Sequence, residues 1–222
     1  MDYSPLLISL KCAILSTIIT FFTGIYAAFL TTRLKRYKSL VDGILTLPLV
    51  LPPTVVGFLL LIFLGKNGFI GRFLNQYNIS IIFSQAANII ASFLVSFPLM
   101  YRTIRGAFEQ IDPYIIYVAR TLGLSEHKIF MRIMLPNSIP SIVAGTVLSF
   151  ARALGEFGAT IMVAGNIPGK TQTMAIAIYN AVQSGNRELA YRWVFILVII
   201  SLITVIILNK FEQKGSTKIG RE

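Results

Sequence analysis

Cys12–Thr32 reads CAILSTIITFFTGIYAAFLTT, 21 residues without a charge. A helix needs about 20 such residues to cross the hydrocarbon core of a bilayer. The apolar residues do not alternate with polar ones, so the run is no barrel strand. The pattern recurs along the chain. Gly43–Gly65 is uncharged over 23 residues, and Phe73–Tyr101 over 29, the latter with a polar start at Asn75, Gln76 and Asn78. Ser138–Ala164 carries only Arg152 and Glu156 as charges. Trp193–Asn209 is 17 residues long, bordered by Arg192 and Lys210, whose stems can snorkel to the interface. The expectation is an all-α integral membrane protein, a single domain over 1–222 with about five spans at 11–32, 43–65, 79–101, 138–164 and 193–209.

Composition agrees. Of 222 residues, 55% are hydrophobic and 13% charged, and mean hydropathy is +0.73. A soluble domain carries about 25% charged residues, so too few are present here to clothe a water-facing surface. The net charge of +11 fits basic loops facing a cytoplasm and anionic lipid rather than nucleic acid. One cysteine, Cys12, allows no disulfide within the chain.

Lysine and arginine set the orientation. Thirteen lie in the loops 33–42 and 102–137 and in the tail, against five on the alternate side. The rule puts the richer side in the cytoplasm, with the N-terminus outside and the C-terminus inside. Met1-Asp2-Tyr3 lacks the basic start of a cleavable signal. Thr171–Gln183, too short to span, suits an interfacial or re-entrant helix.

Loop 102–137 is too long for a plain connector. Asp112-Pro113 marks a helix start and Gly123 a stop. Ser125 can cap a second helix, with Ile129, Phe130, Ile133 and Met134 at helical spacing and an end at Leu135-Pro136. A helix pair between two spans is either an amphipathic surface element or a docking element for a cytoplasmic protein.

Here the chain resembles a known family. Ala119, Gly123, Ile133, Leu135 and Pro136 match the EAA loop of ABC importer permeases, E-A-A-x3-G-x9-I-x-L-P, with Tyr117 and Val118 in place of its Glu and first Ala. Leu47-Pro48-Leu49-Val50-Leu51-Pro52-Pro53, Ser96-Phe97-Pro98-Leu99-Met100, Phe150-Ala151-Arg152-Ala153-Leu154-Gly155-Glu156-Phe157-Gly158-Ala159-Thr160 and Gly165-Asn166-Ile167-Pro168-Gly169 narrow the match. Together these resemble molybdate importer permeases, with sulfate and tungstate permeases as close relatives. The resemblance implies a type I ABC importer permease fold with a coupling loop at about 112–136. It also implies a homodimer, a cytoplasmic ATPase dimer that binds ATP-Mg, and an extracytoplasmic oxyanion-binding protein. The chain itself would bind no cofactor and no metal, and would have no catalytic residues. An ATP-independent channel or carrier is the rival class, and it would need no docking loop.

Arg152 and Glu156 are costly in a span, about 2.5–3.5 kcal/mol each on insertion scales. Four apart, they can pair on one helix face. They form either a self-neutralising structural pair or a pathway and gate pair. Pro52 and Pro53, with Pro48, interrupt the second span and join them as pathway candidates through a kink or hinge. Ala151, Gly155 and Ala159 make a small-residue stripe suited to close helix packing. Ala164–Thr171 nearly spells a P-loop, but a membrane helix precedes it where a strand is required. His127, the only histidine, is expected on the surface.

Overall fold

The computed structural model describes residues 2–34 and 36–219, and within these every regular element is helical. Met1, Lys35 and Arg221, used above for the chain start and the charge count, lie outside the described residues. The elements are α1 (Ser4–Arg33), α2 (Lys38–Val50), α3 (Pro53–Leu64), α4 (Phe69–Asn75), α5 (Gln85–Glu109), α6 (Pro113–Thr121) and α7 (Glu126–Ile129). A π-helical turn, Phe130–Met134, follows, then α8 (Leu135–Asn137), α9 (Ile139–Leu154), α10 (Gly158–Ala164), α11 (Met174–Gln183) and α12 (Arg187–Ile219).

Among the described residues, three helices are long and apolar enough to cross a membrane alone: Ser4–Arg33, Gln85–Glu109 and Arg187–Ile207. The number rises to five if two sharply bent pairs each count as one span: α2 with α3, bent by 110°, and the α7–α8 segment with α9, bent by 74°.

α1, α5 and α9 form the centre. Several polar side chains on them find partners inside the bundle, where no water would serve. Thr17 and Thr31 donate back to the carbonyls of Ala13 and Ala27 in the previous turn, at 2.6 and 2.8 Å. Thr20 and Ser96 share a hydrogen bond of 3.2 Å between α1 and α5. The Asn88 amide donates to the Thr171 carbonyl at 2.9 Å, and the Met174 amide to Ser9 Oγ at 2.8 Å, fixing the segment that leads into α11.

Two expected spans differ from continuous helices. The second breaks after Val50 rather than at Pro48, which sits inside α2. Leu51 precedes Pro52, and Pro52 precedes Pro53; both are therefore forced out of the helical region, with ψ of 140° and 135°. A lone proline bends a helix, whereas two successive extended residues end it. The fourth expected span ends at Leu154 and resumes at Gly158. Ala151 and Gly155 are exposed, while Ala159 is fully buried on the other side of the break. The small-residue stripe is thus not one helix face. Ala159 instead packs on Gly57 of α3, where a Cβ would stand 2.7 Å from the Ala159 Cα.

Candidate coupling and pathway sites

The residues of the EAA-like loop collect at one end of α1 and α5. In α6 the Asp112 carboxylate accepts from the Tyr114 amide at 2.8 Å, and Pro113 takes the first turn, where its missing N–H costs nothing. The helix stops in a Schellman turn: Leu124 donates to the Ala119 carbonyl at 3.1 Å and Gly123 to that of Arg120 at 2.9 Å. Gly123 holds φ +78°, and a Cβ there would meet nothing within 4 Å. Ser125 Oγ caps α7 by accepting from the Lys128 amide. His127 is exposed.

Ala119 is the single buried residue of α6; it joins Ile129 and Met134 in a core with Phe29, Met100, Tyr101 and Phe108. Phe130 lies between α1 and α5, its ring 4.1 Å from Phe29 and 6.1 Å from Phe108 between centroids. Ile133 and Leu135 pack half-buried against this core, and Pro136 is exposed. The expected helix end at Leu135-Pro136 does not occur. Leu135 donates five residues back, to Phe130, in the π turn. That wider turn lets the helix pass Pro136, which cannot donate. The Asn137 side chain then donates to the Ile133 carbonyl at 2.7 Å. The direction changes only between Asn137 and Ile139.

Sequence reasoning missed Glu126. Its carboxylate receives two hydrogen bonds from Arg120, 2.7 Å at Oε1 and 3.3 Å at Oε2, and an ion pair from Arg33 at the end of α1. Arg33 also lies over the Phe29 ring, 3.9 Å from its centroid. The hydrogen bond from Arg120 holds the Glu126 carboxyl below its ordinary range, and the same bond raises the Arg120 guanidinium. A depressed carboxyl stabilises the fold above its unfolded value, and that contribution fades as pH falls through the folded value. The Arg120–Glu126 pair therefore contributes at neutral pH and weakens in acid. Arg33 and Glu126 are 93 positions apart, too far for any periodic pattern to connect them.

The pathway candidates collect elsewhere, at the two helix breaks. A Cβ on Gly158 would stand 3.0 Å from Pro53 Cβ and 3.3 Å from the Thr54 amide nitrogen, so the break before α3 and the break before α10 touch. The expected pairing of Arg152 and Glu156 along one helix does not hold in that form, because α9 ends between them. The pair closes across the helix end, with Arg152 Nη1 2.7 Å from Glu156 Oε2. Glu156 Oε1 accepts from the Ala159 amide at 2.7 Å, so the same carboxylate caps the start of α10. Glu156 is 2% exposed, and the Arg152 side chain is 30% exposed. Burying a carboxyl group this deeply is costly unless it is hydrogen-bonded and paired in this way.

The near P-loop has several of its amides engaged. Lys170, Thr171 and Gln172 all direct their N–H groups to the Ile167 carbonyl, at 2.9–3.1 Å, and the Ile167 amide donates to Thr171 Oγ1 at 3.0 Å. A phosphate cradle needs those donors free, and this turn has already spent them on itself.

This helical bundle, with its broken apolar spans and a helix pair at one end of its core, has the type I ABC importer permease fold, as the family match and the solved structures show. The family of binding-protein-dependent transport system inner membrane components matches residues 20–214, and the chain belongs to it. It is 42% identical over 224 residues to the molybdenum transport system permease protein ModB of Haemophilus influenzae, covering 100% of this chain and 98% of that one. ModB of Escherichia coli K12 is 41% identical over 99% of this chain and 97% of its own. The sulfate transport system permease protein CysT of Salmonella typhimurium is more distant, 31% identical over 89% of this chain and 73% of its own. Among solved structures, a bacterial ABC transporter importing alginate superposes with a TM-score of 0.79 at 18% identity, over 95% of this chain and 78% of that one. The alginate transporter bound to its periplasmic protein gives 0.75 at 18% identity, over 93% and 76%.

Proposed function

We propose that this chain is the permease subunit of an ATP-driven importer of a tetrahedral oxyanion, molybdate. The reading rests on one observation above others, the 42% identity with ModB across the whole chain. Two copies enclose the path, because about five spans per chain are too few to enclose an aqueous route alone. An ATPase dimer docks on the α6–α8 end, whose cytoplasmic position the basic count supports. An extracytoplasmic binding protein delivers the ion and supplies most of the affinity for it.

ATP binding draws the ATPase dimer together and carries the two α6–α8 elements with it. Ala119, Gly123, Ile133, Leu135 and Pro136 shape the docked surface. The breaks at Pro52–Pro53 and Gly155–Phe157 allow the half-helices α3 and α10 to swing, opening the path outward. Hydrolysis, carried out by the partner with ATP-Mg, restores the inward state. Arg152 supplies positive potential near the breaks, and Glu156 tempers it so that the anion is released.

The test is uptake into vesicles holding this chain, its ATPase and its binding protein. Labelled molybdate should enter only with ATP, tungstate should compete, and a large excess of sulfate should compete weakly. Sulfate uptake at an equal rate would favour the sulfate reading suggested by the CysT relative.

Orientation has its own test. In a Cys12→Ser background, Ser39→Cys and Ser216→Cys should be shielded from an impermeant thiol reagent in intact cells, and Asn166→Cys should label. The reverse pattern would reject the orientation, and with it a cytoplasmic docking loop.

A further inference from the structure

α6 is loosely held by packing. Ala119 is its only buried residue. A pocket of about 320 Å³ opens beside it, with Phe108, Ile116, Ile129, Arg33, Arg120 and Glu126 among its lining residues. Beyond the contact of Ala119 and Ile116 with the core, charge links α6 to α1. Glu126 holds Arg120 of α6 with both carboxylate oxygens, and Arg33 of α1 with Oε2 and its own backbone carbonyl, the last at 3.4 Å. On the α1 side the link is stiff, since Arg33 rests on Phe29, which packs on Phe130. An isolated exposed ion pair contributes little, but a two-pronged, shared arrangement fixes geometry as well as charge.

We propose that Glu126 is the positioning residue that ties α6 to α1, so that displacement of the helix pair by the ATPase is passed to the central helix of the bundle. This rests on the coupling role proposed above. With the tie present, α6 and the end of α1 move as one body. Without it, α6 can shift into the adjoining cavity and the stroke is lost locally.

The experiment uses the assembled transporter in vesicles with its binding protein. Molybdate uptake per ATP hydrolysed is measured for wild type, Glu126→Gln and Glu126→Asp. Glu126→Gln keeps the side-chain size but loses the charge, and the ratio should fall about tenfold, a usual size for a coupling effect. Glu126→Asp, which keeps the charge, should recover at least part of it. Spin labels at Leu34→Cys and Tyr117→Cys, without Cys12, should give a broader distance distribution in Glu126→Gln than in wild type. If Glu126→Gln is lost from the membrane, Arg33→Gln removes the α1 half of the tie while leaving Arg120 on Glu126, and should show the same fall. Wild-type ratio and distances in the charge-removing variant would overturn the inference alone. Absence of ATP-driven uptake by the wild type would overturn the proposed function and this inference together.

Discussion

Gly123→Val should abolish uptake while leaving the protein in the membrane at normal levels. At φ +78° the residue sits where an L side chain costs about 1 kcal/mol and a β-branched one more. No neighbour lies within 4 Å of the added Cβ, so the whole effect acts through the backbone. The Schellman turn carries the hydrogen bonds from Leu124 to Ala119 and from Gly123 to Arg120. Opening it changes the angle between α6 and α7, hence the surface offered to the proposed ATPase partner, while the apolar lengths of α1, α5 and α12 lie outside the turn. Association with the ATPase, measured by co-purification, should weaken together with uptake. Gly123→Asn is the control, because asparagine tolerates a left-handed backbone and should retain most activity. A valine variant transporting at the wild-type rate would reduce the loop to a connector.

Gly57→Leu should instead destabilise the folded protein. A Cβ at 57 would lie 2.7 Å from both the Cα and the carbonyl oxygen of Ala159 and 2.8 Å from Met162 Cβ. Backbone atoms cannot step aside as a flexible side-chain end can, so α3 and α10 must separate. Overpacking of this kind costs about 1–3 kcal/mol, occasionally more. Detergent-purified protein should melt several degrees lower, and membrane levels should fall. Gly57→Ala should show a smaller shift in the same direction. Gly43→Ala, where a Cβ meets nothing within 4 Å, should leave the melting temperature unchanged or raise it. An unchanged melting temperature in Gly57→Leu would mean that α3 and α10 do not pack closely in the membrane.

Local signals were legible where the physics is local. The start of α6 at Asp112-Pro113, its stop at Gly123 and the cap at Ser125 follow from backbone donors that must be satisfied and from a conformation that suits glycine. Pro52-Pro53 marked an interruption for the same reason. Boundaries were less legible. α5 starts at Gln85 and runs to Glu109, beyond the expected 79–101, and α12 begins at Arg187 rather than 193. An uncharged run measures what lies in hydrocarbon, whereas a helix continues into water wherever its hydrogen bonds and packing persist. Helical spacing also suggested that Arg152 and Glu156 share a face, but the chain leaves the helix at Leu154 and the pair closes across the gap.

The sequence by itself determined that this is a helical membrane protein and which family it resembles, because uncharged length and strung motifs are linear properties. Only the tertiary structure decided which breaks touch and which charges meet. Gly158 lies against Pro53, Gly57 against Ala159, and Arg33 against Glu126, each pair 93–105 positions apart in the chain. Such contacts depend on how α1, α3, α5 and α10 pack, and packing is set by the summed fit of many side chains. No window of sequence contains both partners, so no spacing rule reaches them.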